Sequence, residues 1–370
     1  MPLIISTGNK HGRTVIPEPM NTRTDFSLQC PIPKSEYEHV LLAHGGGGKL
    51  TKQLIDRMFY PLLGNEFLKQ DHDGALLPAN LGPLAMTTDS FVVDPIFFPG
   101  GDIGDLAING TINDLVCCGA EPLYLSLAFI LEEGFLLEDL WKIVRSVSQS
   151  ARNAGVSIVT GDTKVVEKGK GDKIFINTTG IGRVLPDTDI APRNCAEGDV
   201  VLINGNIGDH GVAILSERKG MSFESDIRSD TQALHGMMLD VLQRKPGIHV
   251  LRDPTRGGVA SALNEICLSS GMGIRLFEDR LPVSEGVRGA CELMGLDPLY
   301  MANEGKILVI LPEDDAEEVL SIMRAHKAGT RSRIIGRVSS EYPGMLHLET
   351  TIGSTRIVDM ISGEQLPRIC

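Results

Sequence analysis

Short apolar runs alternate along this chain with stretches whose apolar residues return every three to four positions, and this alternation constrains the fold more than any other feature. The runs "LAMTTDSFVV", "LYLSLAFIL", "GVSIVTGDTKVV" and "KIFINTTGIGRV" read as strands, while residues 104–118 and 137–154 carry the helical period. A polar stretch, "PDTDIAPRNCAEGD", interrupts the pattern, and a second series follows. Its strands are expected near 200–204, 273–278, 306–311 and 333–338, and its helices near 230–244, 256–270 and 314–326. The pattern predicts two mixed α/β or α+β domains, 37–190 and 191–350, which suits 370 residues at about 150 per domain. Residues 1–36 lack sustained periodicity and read as an extension. Residues 351–370 read as a mobile tail.

A formal net charge of −13 argues against a nucleic-acid groove and suits a protein whose carboxylates hold cations. No apolar run approaches the roughly 20 residues of a membrane span, so no membrane partner is expected. Seven cysteines, none in C-x-x-C spacing, and a start without a secretory pattern predict free thiols in the cytoplasm.

Acidic residues recur at strand ends and in turns, often beside glycine: Asp73, Asp89, Asp114, Asp162 and Asp253. Such an Asp also serves as an ordinary turn or cap residue. The helix at 104–118 is more demanding. Leu106, Ile108, Ile112, Leu115 and Val116 read as buried, yet Asp105, Asn109 and Asn113 form a polar stripe with Asp114 beside it. A buried polar seam needs partners, and hard cations bridging to phosphates would meet that need.

The segment "HGGGGKL" precedes a helical pattern containing Leu50, Leu54, Ile55 and Met58. Its glycines would let backbone amides approach an anion, with Lys49 adding charge. The segment is not a Walker A loop, and a plain flexible linker would have the same composition. "DPTRGGVASALNE" repeats the logic, with Asp253 and Arg256 ahead of two glycines. The chain ends in Cys370, after Gly363 and Pro367, which disfavour helix.

Taken in order, "HGGGGKLTKQLI", "TTDSFVVDPIFFPGGDIGDLAINGTINDL", "SLAFILEEGF", "VTGDTKVV", "DPTRGGVASALNE", "LDPLYMANEGK" and the terminal "PRIC" resemble the HypE family of hydrogenase maturation proteins. That family belongs to the superfamily of aminoimidazole ribonucleotide synthase, selenophosphate synthetase and thiamine monophosphate kinase. The likeness runs from about residue 37 to the end. It implies an α+β N-terminal domain that dimerises through its β-sheet into a homodimer, an α/β C-terminal domain, and ATP with Mg²⁺ between them. It also implies that Cys370 receives a carbamoyl group from the carbamoyltransferase HypF. The thiocarboxamide is then dehydrated to a thiocyanate, and cyanide passes to iron on the HypC–HypD scaffold.

Under this resemblance, ATP contacts are expected from His44, Gly45, Gly46, Gly47, Gly48, Lys49, Asp89, Asn113, Asp114, Thr163 and Arg256. Metal ligands are expected from Asp73, Asp89, Asp114, Asp162 and Asp253. Cys370 would carry the substrate, Glu304 would take the amide protons, and Lys164 would polarise the amide oxygen or the γ-phosphate. A terminal thiol can visit separate enzymes, and Arg368 offsets repulsion between a thiolate and the terminal carboxylate. A kinase or synthetase of the same superfamily acting on a free small molecule would share the ATP motifs but have no use for the terminal Cys. A scaffold or metallochaperone would need soft-metal spacing, which is absent.

Overall fold

The computed structural model describes residues 30–32, 36–70, 74–78, 81–220, 227–244, 247–360 and 368–370. The N-terminal half contains α1 (Lys49–Leu54), a π-helical turn over Ile55–Phe59, α2 (Tyr60–Leu63), β1 (Leu84–Phe91), a small ribbon of β2 (Phe97–Phe98) and β3 (Gly101–Asp102), α3 (Ile103–Cys117), β4 (Ala120–Glu132), α4 (Leu137–Ala154), β5 (Ser157–Val166) and β6 (Ile174–Val184). Four of these strands form one sheet in the order β1-β6-β4-β5, so β1 and β5 are its opposite edges. Burial alternates along β4 and β6, as expected for a sheet with one face covered. The cover is α3 and α4, which pack on each other through Leu106, Ile143, Val144 and Val147 among others.

The second half contains β7 (Asp199–Ile203), α5 (Asp209–Lys219), α6 (His235–Gln243), β8 (Val250–Arg252), α7 (Gly258–Ser270), β9 (Gly273–Phe277), α8 (Glu285–Met294), β10 (Leu308–Pro312), α9 (Glu313–Ala325), β11 (Arg333–Ser339), β12 (Leu346–Glu349) and β13 (Thr355–Ile357). Its seven-stranded sheet runs β13-β12-β9-β11-β7-β10-β8. β7 and β10 are central and buried on both faces, which accounts for their unbroken apolar runs.

α3 joins the halves. Its start is fixed by Asp102, whose carboxylate accepts from the backbone N–H of Gly104 at 2.7 Å and of Asp105 at 3.3 Å. One side of the helix packs on the first sheet, and the other meets α6 and β8 of the second half. The polar stripe finds its partners here. Asn109 Nδ2 donates to Thr231 at 3.2 Å, and Asn113 donates to the Gln232 carbonyl at 3.1 Å while accepting from the Leu234 N–H at 2.8 Å. Protein backbone and hydroxyl groups satisfy the two amides, not the cations expected from sequence.

The segment expected to start a mobile tail at 351 is longer in the sheet than its composition suggests. β13 pairs with β12, and Val358 is fully buried in the second core. Its N–H donates to the Leu346 carbonyl at 2.9 Å, and its own carbonyl accepts from Asn264 at 3.0 Å. The expected extension, residues 1–36, lies almost wholly outside the described residues. Among those described, no helix is long and apolar enough to cross a membrane.

Candidate active site

The last three residues are docked in the body of the protein. A terminal carboxylate oxygen of Cys370 accepts from the Val92 N–H at 3.0 Å, and the Arg368 carbonyl accepts from the Asp94 N–H at 3.3 Å and from Arg218 Nη2 at 2.7 Å. Between them, the Ile369 carbonyl lies 2.7 Å from His210 Nε2. Ile369 is 2 % exposed and packs in the first core. Arg368 Nε donates to the Val92 carbonyl at 2.9 Å, and its guanidinium pairs with Asp172. The chain leaving β1 and the helix α5 thus grip a backbone oxygen of each residue of the terminal tripeptide. The Cys370 thiol is pushed up to about 12 by burial and by the neighbouring Glu304, with Arg256 opposing.

Four acids converge beside that thiol from distant parts of the chain. Asp89 comes from β1, Asp114 from α3, Asp253 from the turn after β8, and Glu304 from the segment before β10. Thr111 Oγ1 donates to Asp89 at 3.2 Å, and Thr87 Oγ1 donates to Asp114 at 2.7 Å. Burial and the charge of Asp114 raise Asp89 to about 6 and Asp253 to about 7. Burial, then Asp230 and the cluster acids, hold the Glu304 carboxyl well above its ordinary value. Glu304 is 4 % exposed and its Oε1 has no hydrogen-bond partner. Such an orphaned acceptor calls for a donor on a ligand.

The residues fit the implied Mg²⁺ in chemistry. Asp89, Asp114 and Asp253 offer only oxygen donors, and the charge of Asp114 raises the proton affinity of Asp89 and Asp253, a repulsion a hard cation relieves. They do not stand as a closed cage: among the described residues no three acidic, His or Cys side chains are already grouped to hold a metal ion.

Glu304 is aimed by a buried ion pair that the sequence did not reveal. Asp230 accepts from the N–H groups of Glu304 and Gly305, each at 3.1 Å, and from Lys306 Nζ at 2.7 Å. Both side chains of the pair are almost wholly buried. Burial alone would raise the Asp230 carboxyl, but Lys306 and these donors hold it below its ordinary value. Lys306 sits within the quoted "MANEGK", but its partner is 76 residues away, so no local pattern announces the pair.

The glycine-rich loop faces a different place. Gly45 and Gly47 border a cavity of about 390 Å³ with Asp162, Thr163 and Lys164 of β5. A Cβ on Gly45 would lie 2.4 Å from the Val165 nitrogen, so only glycine permits this approach of loop to strand. Lys164 and Asp162 pair at 3.3 Å, both largely exposed. Gly48 has open space where a Cβ would be, and a Cβ on Gly46 would meet only the Ala43 carbonyl oxygen at 4.0 Å. Lys49 turns away into a separate hollow with Glu36 and Asp56. α1 is only six residues long and gives way at once to the π turn.

His44 is also placed differently from expectation. It is 1 % exposed, its Nδ1 accepts from the Leu41 N–H at 2.9 Å, and its ring meets Tyr37 edge-on, so it caps its own turn. Asn113 likewise spends its amide on the 232–234 segment, as described above. Asp73 lies outside the described residues. The structure therefore brings together Cys370, Glu304, Asp89, Asp114, Asp253 and Arg256, and collects Gly45, Gly47, Asp162, Thr163 and Lys164 at the other edge of the first sheet.

Comparison with known proteins shows the family and the two-domain fold. Family models for the AIR synthase related protein match in both parts, the N-terminal domain over residues 71–184 and the C-terminal domain over residues 196–346. The carbamoyl dehydratase HypE of Azotobacter vinelandii is 53% identical over 331 residues, covering 90% of this chain and 97% of that protein. A crystal structure described as hydrogenase maturation protein HypE in complex with ATP superposes with a TM-score of 0.86 at 48% identity, covering 89% of this chain and 99% of that one. A HypE–HypF complex contains a chain with a TM-score of 0.74 at 49% identity, covering 83% of this chain and 99% of that one. With a relative this similar over nine-tenths of its length and both domains matched, the chain belongs to the HypE family of hydrogenase maturation proteins.

Proposed function

We propose that this protein is an ATP-dependent carbamoyl dehydratase acting on a carbamoyl group carried by its own Cys370, and so a supplier of the cyanide ligands of hydrogenase iron. The observation that carries the reading is the docked terminus, with Cys370 beside the unpartnered Glu304 carboxyl. A protein that acts on a free small molecule would have no use for this arrangement. The relatives named carbamoyl dehydratase and the ATP-bound neighbour support the same activity.

Converting R–S–C(=O)NH₂ to R–S–C≡N removes one oxygen and two N–H protons. The oxygen leaves poorly as hydroxide, and ATP supplies the phosphoryl group that turns it into phosphate. Docking would hold the thiocarboxamide beside the buried Glu304, whose Oε1 is free to accept an amide proton. The buried Asp230–Lys306 pair holds the Glu304 backbone in place. Arg256 offsets charge near the Cys370 sulfur. Mg²⁺, held by Asp89, Asp114 and Asp253, would neutralise charge on the transferred group. Asp73 joins this set on resemblance alone.

Lys164, Thr163 and Asp162 lie three strand spacings, about 14 Å, from the β1 edge. A homodimer formed over the open face of the first sheet would bring β5 of one protomer toward the acids of the other. Exposed Leu84, Met86 and Ile130 on that sheet support such pairing. The partners implied are HypF, which loads the thiol, and HypC–HypD, which receives cyanide, all in the cytoplasm. The solved HypE–HypF complex supports the first of these.

Mass spectrometry of the C-terminal peptide, after incubation with the carbamoylating partner and ATP, tests the proposal. Cys370 should gain a carbamoyl group and then lose one water only with ATP. A carbamoylated peptide that never loses water in the presence of ATP overturns it.

A further inference from the structure

His210 is the second residue of α5 and is completely buried, its ring meeting Phe98 edge-to-face at 5.6 Å between centroids. Its Nε2 lies 2.7 Å from the Ile369 carbonyl oxygen and its Nδ1 lies 2.8 Å from Ser229 Oγ. A carbonyl only accepts, so Nε2 carries the hydrogen. Nδ1 is then the acceptor for the Ser229 hydroxyl, and both ring nitrogens are spent. Burial keeps this imidazole neutral, against the pull of nearby Asp230. The ring is thus held at both ends, by Ser229 on one side and by the tail on the other.

The Ile369 carbonyl belongs to the peptide bond that leads directly into Cys370. The other grips on the terminus act on the backbone oxygens of Arg368 and Cys370 and on the Arg368 side chain. Removing the imidazole would leave the Ile369 carbonyl without its donor in the docked state, whereas water pairs that carbonyl once the tail is released, so the docked state alone would suffer.

We propose that His210 is a positioning residue: by donating from Nε2 to the Ile369 carbonyl, with its tautomer set by Ser229, it latches the terminal tripeptide and fixes where the Cys370 sulfur sits during dehydration. The latching stands on the geometry, and its consequence for rate rests on the dehydratase reading. Because the grip is on backbone, it serves the bare and the carbamoylated thiol alike. His210 touches neither the sulfur nor any group on it.

Two readouts on the full-length protein separate these points. The first is the rate at which iodoacetamide alkylates Cys370 without ATP or carbamoyl donor, followed on the C-terminal peptide. The docked Cys370 is half-buried and its thiol is pushed up to about 12, so it reacts slowly and alkylation reports release. His210→Ala should raise this rate roughly three- to tenfold, the range set by one hydrogen bond. His210→Gln, whose amide N–H reaches toward the same carbonyl, should recover most of the protection. Ser229→Ala should raise it about twofold to threefold and serves if His210→Ala does not fold.

The second readout is single-turnover dehydration of the carbamoylated protein, which should slow by a matching factor in His210→Ala while the KM for ATP is unchanged. Wild-type alkylation rates in folded His210→Ala and Ser229→Ala would overturn the latch. So would a folded His210→Gln that alkylates as fast as His210→Ala. Alkylation changes as stated, with no dehydration even in the wild type, would support the latch and overturn the dehydratase reading.

Discussion

Asp253→Asn should make the cation-free protein more stable at neutral pH, although it removes a residue assigned to the active site. In the folded protein Asp253 holds its proton to about 7, through burial and the charge of Asp114, against 3.8 for an ordinary Asp. Between those values the folded state binds more protons than the unfolded state, so the wild type loses stability as pH rises. At 1.36 kcal/mol per pH unit the gap amounts to about 4 kcal/mol above pH 7. Part of this is repulsion shared with Asp114 and Asp89, which leaves about 2–4 kcal/mol for the substitution to relieve. Asparagine keeps the shape and carries no charge. Urea melts in chelator from pH 4 to 8.5 should therefore show the two proteins diverging steadily as pH rises and parallel above about 7. Millimolar Mg²⁺ should then stabilise the wild type at pH 8 and do much less for the variant. An Asp253→Asn protein no more stable than wild type in chelator at pH 8 would refute the picture of three mutually repelling carboxylates awaiting a cation.

Cys370→Ala should abolish formation of any modified C-terminal peptide, whereas Cys117→Ala, which removes a buried thiol 3.8 Å from Asp253, should cost stability at most. A modified peptide persisting in Cys370→Ala would refute this. Glu304→Gln should still be carbamoylated but lose about 10²- to 10⁴-fold in dehydration, the range of a general base; an unchanged single-turnover rate would remove Glu304 from that role. Asp114→Asn should slow ATP turnover with a raised Mg²⁺ requirement, and normal turnover would exclude it from the cluster. Mixing inactive Asp89→Asn and Lys164→Ala proteins should restore about a quarter of wild-type activity if each site draws on both protomers of a two-fold dimer. No recovery after verified subunit exchange would place both residues in one protomer's site.

Where a helix or strand has one buried side, its period made it legible. α3 and α4 fall within a residue of their expected ranges, and the four strands of the first sheet fall within two apart from the early start of β4. α5 is missing from the expected helices because residues 210–216 are all buried, which erases the amphipathic signal. α8 carries Gly286 and Gly289, which dilute its helical character, and β13 is exposed along its whole length. Within the site, Asp89, Asp114, Asp253, Glu304 and Cys370 came from motifs whose order in the chain is diagnostic. His210, Arg218, Asp230 and Lys306 act through contacts spanning 76 to 159 residues, and such pairings have no local signature. His44 and Asn113 show the converse: polar residues next to a functional motif bond the backbone of their own or a neighbouring segment.

Anchoring at Val358 leaves twelve residues, Asp359–Cys370, to carry the thiol. At about 3.3 Å each they reach no farther than roughly 40 Å. One thiol confined to a sphere of that radius is present at several millimolar, whatever the protein concentration in the cell. Docking is therefore a unimolecular equilibrium that dilution cannot weaken. A separate enzyme at micromolar concentration competes for the same thiol at a disadvantage of about a thousandfold. It must either hold the terminus far more tightly than the body does or bind the body as well, so that it too becomes a local competitor.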